Sequence, residues 1–217
     1  MARKYHELMM TRAVRNAQRH YYGGSQNFPA LSTSEDTPLG ARETAFIALR
    51  DSFYVATISE IGWPYVQHRG GPKGFLRVID PHTLAFPDFH GNSQLLSTGN
   101  LAGSDRVALF LMDYPRRTRL KIMGHARVLD PRKDKAFTKE LSSGVRLLAK
   151  IERIFVINVV SFDWNCSQYI TPRYTEKEIE AAFTAPLLAR IRELEAASIV
   201  QGSGAISFDR LLTPLAL

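Results

Sequence analysis

The sequence predicts a mainly β protein: an antiparallel, barrel-like domain with peripheral helices. Two observations carry this. Between residues 53 and 162, short runs rich in Val, Ile, Phe, Tyr and Thr follow one another closely, separated by Gly, Pro, Asp and Asn turns. Helical patterns lie at the two ends and in a few short intervening segments. The chain therefore lacks the regular strand–helix alternation that builds a parallel sheet.

The elements follow in chain order. Residues 3–20 predict a helix, because Tyr5, Leu8, Met9 and Val14 sit near helical spacing and suit packing against a body. The same segment is Arg-rich and acid-poor, faintly like an organelle transit peptide, but its apolar spacing favours a packed helix. Residues 21–39, rich in Gly, Ser, Thr and Pro, read as a loop. Residues 40–50 read as a short amphipathic helix with Ala45, Phe46, Ile47 and Leu49 toward the core.

The β region then begins. Residues 53–59 form a strand by composition, 61–64 a turn, and 65–69 a returning strand, together a hairpin. A third strand is expected at 75–79, a turn at 80–82 and a fourth strand at 83–86. Residues 92–101 read as a short helix, 106–112 as a buried strand, and 113–115 as a turn. Residues 119–128 alternate polar and apolar for most of their length, so one face is wet or ligand-facing. A helix is expected over 131–150 and a last strand over 153–162, with Ile154, Val156 and Val160 on one side. Thr175 and Glu178 form a capping box that opens a helix running to about residue 198. The tail 199–217 has no single reading. The expected organisation is an N-terminal helix and loop over 1–39, the β domain over 40–175, and a C-terminal helix and tail over 176–217.

Bulk composition bounds the function. The chain has 217 residues, 45% apolar and 23% charged, enough for one sizeable core. No apolar run approaches the ~18 to 20 residues a membrane helix needs. A single cysteine, Cys166, rules out an intramolecular disulfide and fits a reducing cytoplasm. The six histidines are scattered without ligand spacing, so no structural zinc site is expected. The formal net charge is +7, which suits an anionic partner. Nucleic acid is disfavoured because the basic residues are dispersed and lack interleaved stacking aromatics. Membrane binding is not expected.

Three segments carry candidate chemistry, each with a plainer alternative. Arg69, Gly71, Pro72, Lys73, Gly74 and Phe75 join two strands; the glycines admit close backbone approach to a ligand or simply serve a hairpin connection. Asn92, Ser93 and Gln94 open the expected helix, where free N–H groups suit a phosphate or the side chains merely cap it. Arg117, Arg119 and Lys121 alternate along a strand, giving either an anion-binding face or a solvated one. Trp164 can stack on an aromatic ligand or belong to the core. No nucleophile or acid–base pair stands out, which favours a protein whose cofactor does the chemistry, or a binding protein.

Four motifs then give a resemblance: GWPYVQHRGGPxGFL at 62–76, TLAF-x-D-x-x-GN at 83–92, GNLAG-x-x-RVALxLMDYP at 99–115, and DWNC-x-Q-x-ITPR-x-T at 163–175. Together they resemble the pyridoxamine 5′-phosphate oxidase-like family of FMN-binding split β-barrels. The resemblance implies a homodimer with FMN in a groove between subunits, and an FMN-dependent oxidoreductase of unspecified small-molecule substrate. A non-enzymatic flavin-binding or storage module is the alternative. It further implies that the stretch from Arg69 to Phe75 lines the isoalloxazine, with Pro87 and Asp88 beside the ring or ribityl chain. Asn92, Ser93 and Gln94 meet the phosphate, and Arg119 and Lys121 hold the ring's polar edge or the phosphate. Trp164 and Arg173 come from the last third, across the dimer interface. One departure stands out: the subfamily commonly has Arg where this chain has Ser93. That loss of a bidentate donor is expected to weaken FMN binding unless Lys73, Lys121 or another base compensates.

Overall fold

The computed structural model describes residues 3–23, 35–143, 150–164 and 168–200. The chain divides into two compact units, residues 1–171 and 172–217.

The first unit is built on one seven-stranded sheet. Its strands are β1 (Ser52–Ile58), β2 (Pro64–Gly70), β3 (Arg77–Asp80), β4 (Thr83–Phe89), β5 (Arg106–Asp113), β6 (Thr118–Leu129) and β7 (Ile151–Trp164). They lie in the order β2-β1-β5-β6-β7-β4-β3, every neighbouring pair antiparallel. The sheet is not closed by hydrogen bonds, since β2 and β3 are free edges. It nevertheless curls far enough for Arg69 of β2 to lie over Phe155 of β7, with 5.1 Å from guanidinium carbon to ring centroid. This is the antiparallel, barrel-like domain with peripheral helices that the pattern of strands predicts, open along one seam as the resemblance to split barrels implies.

Period-two alternation sets the faces. Phe53 and Val55 of β1, Val107, Leu109 and Leu111 of β5, and Leu120 and Ile122 of β6 are buried on the inside. They meet Leu84 and Phe86 of β4 and Phe155, Ile157 and Val159 of β7. Phe86 and Phe155 stack at 4.9 Å, and Phe53 meets Phe86 edge-on at 5.1 Å. Helix α3 (Ala41–Ala48) adds Ile47 to this cluster. Ala45 and Leu49 are exposed rather than core-facing; the second buried residue of α3, one turn before Ile47, is Glu43, whose two oxygens are both bonded. Helix α5 (Lys135–Ser142) covers the opposite side of β4 and β7, packing Leu141 on Ala85, Ile154 and Val156.

Several boundaries differ from the sequence expectation, each for a local reason. The helix expected over 3–20 is two helices, α1 (Arg3–Met9) and α2 (Arg12–Tyr22). Thr11 is extended and its hydroxyl accepts from Val14 N at 3.3 Å, starting a second helix. Strand β4 runs past Phe86 through Pro87 to Phe89. Proline is tolerated there because β3 pairs with β4 only as far as Ala85, leaving that side of Pro87 without a ladder partner. The helix expected at 92–101 is α4 (Leu96–Gly103), because left-handed Ser93 (φ 60) and Leu95 (φ 53) interrupt the preceding turn. Arg117 is also left-handed (φ 51) and belongs to the turn before β6, so only Arg119 and Lys121 alternate on the strand. Val160 does not continue the side of Ile154 and Val156: the β6–β7 register shifts where Ser161 faces Met123 and Val159 faces Gly124. Of the helix expected over 131–150, Asp134 caps the segment that forms.

In the second unit, Thr175 and Glu178 form the expected capping box. Helix α6 (Glu176–Ile179) passes through one π-helical segment (Glu180–Thr184) into α7 (Ala185–Val200). Most of the expected 21–39 loop, Cys166, and nearly all of the tail 199–217 lie outside the described residues. Among the described residues no helix is long and apolar enough to cross a membrane. No group of His, Cys, Asp and Glu among them is arranged to hold a metal.

Candidate functional site

The β1–β2 hairpin sends Tyr65, Gln67 and Arg69 to one side of β2 and Val66 and His68 to the other. Arg69 is mostly buried, with 15% of its side chain exposed. Its guanidinium donates to Asp88 Oδ1 across the open seam. Asp88, itself buried, accepts on its other oxygen from Arg153 Nε of β7 at 2.8 Å. Burial pushes the Arg69 pKa below its ordinary value, and the Asp88 carboxylate works against that shift. Arg69 Nε is buried and makes no hydrogen bond among the described residues.

This charge cluster lines a cleft whose other wall is the corner from Gly91 to Leu95 and the start of α4. Helix α4 is pinned over the hairpin by two side-chain bonds: Ser97 Oγ donates to Gln67 Oε1 at 2.7 Å, and Asn100 Nδ2 donates to Thr57 Oγ1 at 2.9 Å. In the corner, Gln94 N donates to Asn92 Oδ1 at 3.2 Å. Leu95, the N-cap residue of α4, provides no side-chain acceptor. Left-handed residues recur in anion-binding loops, and a helix start without a side-chain cap leaves its first N–H groups without an intrahelical partner. The cavity measures about 50 Å³. That is room for a phosphate-sized group, well below the roughly 300 Å³ or more of a pocket that encloses a whole cofactor.

Of the sequence candidates, Arg69, Asp88, Asn92, Ser93 and Gln94 are brought together here. The others are not. Gly71 N donates to Asp51 O at 2.8 Å and Gly74 N to Arg50 O at 3.2 Å, so this glycine turn spends those donors on its own chain. A Cβ on Gly71 would stand 2.6 Å from the Phe75 ring, and Gly74 has φ +80, so packing and turn geometry require both glycines. Phe75 is a core residue stacked on Phe53 at 5.6 Å. Pro72 lies in the same turn, accepting from Phe75 N at 3.0 Å, and Lys73 is exposed. Pro87 is buried and points to the opposite side of β4 from Asp88.

Arg119 and Lys121 stand on the outer face of β6, away from the cleft. Lys121 Nζ pairs with Asp163 at 3.0 Å and lies 4.8 Å from the Tyr5 ring centroid. The Arg119 guanidinium lies 5.8 Å from the Phe110 ring centroid, and its Nε is buried without a hydrogen bond among the described residues. Beside them is an apolar groove of about 430 Å³ that includes Tyr54, Val66, Phe110 and Met123. Trp164 has a structural setting: Nε1 donates to Glu43 Oε1 at 2.6 Å, Phe46 meets it edge-on, and Arg42 lies over its ring at 4.2 Å.

Sequence reasoning missed Arg153. It lies 65 residues from Asp88, and only the β4–β7 register, which sets Asp88 opposite Arg153, brings the two together.

A curled antiparallel sheet, open along one seam with a small cleft lined by Arg69, Asp88 and Arg153, defines the split-barrel class of fold. The profile of the pyridoxamine 5′-phosphate oxidase family matches residues 40–154, just over half of the chain, and the chain belongs to that family. No curated protein matches it. Among solved structures it is similar to HupZ of Group A Streptococcus (14% identity, 63% of this chain and 100% of that one, TM-score 0.46). It is similar also to a protein of the pyridoxinephosphate oxidase family related to general stress protein 26, from Clostridium acetobutylicum (12% identity, 64% and 94%, TM-score 0.42). An FMN-binding protein from Syntrophomonas wolfei is a third (11% identity, 56% and 81%, TM-score 0.40).

Proposed function

We propose that this protein binds FMN as a homodimer and acts as an FMN-dependent oxidoreductase on a small molecule, in a reducing cytoplasm. The observation that carries the reading is the seam cleft. A buried arginine with an unpartnered Nε faces a corner of left-handed backbone and an uncapped helix start, in a space of phosphate size. An unpaired buried donor calls for an acceptor, and a phosphate oxygen is one.

In this reading Arg69, Asn92, Ser93 and Gln94 hold the phosphate, and Asp88 fixes the Arg69 guanidinium. The ring then rests outside the cleft. Within one chain Arg119 and Lys121 lie on the opposite face of the sheet from Arg69. A two-fold pair of subunits can set one protomer's outer face beside its partner's cleft, which a single chain cannot do. The exposed side of the β1–β2 hairpin, with Tyr54, Ile58, Trp63 and Val66, is apolar enough to be covered in such a pair. Bound FMN supplies hydride and electron acceptance, while the chain's own groups bind, orient and supply charge.

The test is the ultraviolet–visible spectrum of purified protein with mass identification of released cofactor. A yellow protein that releases FMN on denaturation is expected. A colourless preparation that takes up no added FMN would overturn the reading.

One observation favours a flavin-carrier role as the second reading. The charged side chains lining the cleft, Arg69, Asp88 and Arg153, are engaged with one another, which suits holding an anion more than moving a proton. Stopped-flow mixing with NADPH, NADH and reduced deazaflavin separates the two. Bleaching by one donor supports the oxidoreductase, and no bleaching by any supports the carrier.

A further inference from the structure

Resting on the flavin reading above, we infer that Arg153 is the second phosphate-binding cation of this cleft, beside Arg69. Arg153 lines the cleft together with Ser93 and Arg69. Neither lysine expected to compensate for Ser93 does so within the chain. Lys121 is paired with Asp163 on the outer face, and Lys73 is exposed in the turn after β2. Arg153 is built to stay in place. Its Nε donates to Asp88 Oδ2 at 2.8 Å, and its Nη2 donates to Glu152 Oε2 at 3.0 Å. Glu152 is held in turn by His90 Nδ1 at 2.7 Å.

A guanidinium has five N–H donors in a rigid fork, so these two bonds leave donors to spare. Nη1 has no hydrogen-bond partner among the described residues. Asp88 plays the complementary part. By accepting from Arg69 on one oxygen and Arg153 on the other, it holds two like charges at one small cavity, at 6% exposure of its own side chain. Among the groups lining the cleft, Arg69 and Arg153 outnumber Asp88 by one charge; the Glu152 carboxylate on Arg153 Nη2 offsets it, so a phosphate is met here by directed guanidinium N–H donors rather than by net charge. The cation of this corner therefore comes from β7 and not from the loop.

The test compares FMN with riboflavin, which differ only in the phosphate, by quenching of flavin fluorescence on full-length protein. Inorganic phosphate as a competitor distinguishes a general anion site from one that needs the whole nucleotide. Wild type is expected to prefer FMN, and Arg153→Met to lose on the order of 10- to 100-fold of that preference, with riboflavin affinity unchanged. Adding Ser93→Arg to Arg153→Met is expected to restore part of it. Should Arg153→Met fail to fold, Arg153→Lys keeps the charge without the fork, and a reduced preference there supports the same role. An FMN-over-riboflavin ratio unchanged in the folded variant would overturn the role of Arg153 while leaving the flavin reading intact. Wild type binding neither flavin would overturn the flavin reading itself.

Discussion

Arg69 and Asp88 are 19 residues apart in sequence, on strands that do not pair, and their ion pair bridges the open seam of the barrel. At the level of Asp88 the short β3 has ended, so β4 is itself the free edge that faces β2 across the gap. The same two edges that leave the barrel unclosed thus bring the charged groups of the candidate site together.

This relationship sets the cost of removing Asp88. Asp88→Asn leaves Arg69 and Arg153 without their shared counter-charge in a largely buried setting. A loss of about 3 kcal/mol is expected, read as a lower urea midpoint with an unchanged slope. Adding Arg69→Met should recover part of it, because the uncompensated charge is then gone.

The acid limb of stability should report Asp113. Burial raises its carboxyl pKa, but the Arg116 N–H and the Arg50 and Arg116 guanidiniums outweigh that and hold it below the usual carboxylate value. A folded-state pKa below the unfolded one gives stability that is present above the unfolded pKa. That stability is lost as pH falls through the folded pKa. Urea midpoints taken from neutral pH down to about pH 3 should therefore fall less steeply in Asp113→Asn than in wild type.

Two glycines should respond with opposite sign. A Cβ at Gly124 would stand 2.5 Å from Asn158 O and 2.8 Å from Ile157 Cγ2, where the β6–β7 register shifts. Gly124→Ala must move backbone and is expected to cost about 2 kcal/mol or more. Gly99 lies within α4 with nothing inside 4 Å of its would-be Cβ. Gly99→Ala should stabilise by about 0.5 to 1 kcal/mol. Thermal unfolding of both variants checks the pair.

The dimer reading makes its own prediction. Tyr54 and Val66 are 40% and 60% exposed on the outer face of the β1–β2 hairpin. Val66→Lys or Tyr54→Glu should shift the protein from dimer to monomer in light scattering and weaken FMN uptake in parallel. A wild type that is monomeric throughout would remove the shared-groove arrangement.

Much of this was legible along the chain. The strands at 53–59, 65–69 and 106–112 announce themselves by composition and turn chemistry, and Thr175 and Glu178 mark their helix start directly. Local backbone choices were less legible. Nothing in Gly-Asn-Ser-Gln-Leu dictates left-handed Ser93 and Leu95, and so the helix start was expected four residues early. Thr11 was hidden in the same way inside a segment whose apolar spacing alone suggested one helix.

The sequence by itself determined that this is a strand-rich domain, which faces of its strands are apolar, and where the helix start at Thr175 and Glu178 falls. All of those depend on neighbours in the chain, where periodicity and turn residues act. Only the tertiary structure decided that Arg69, Asp88 and Arg153 meet across the seam, that Arg119 and Lys121 turn to the other face, and that Trp164 is held by Glu43. These outcomes depend on strand order, register and curl. Such properties arise from pairing between distant segments, and no local pattern encodes which partner a buried charge will find.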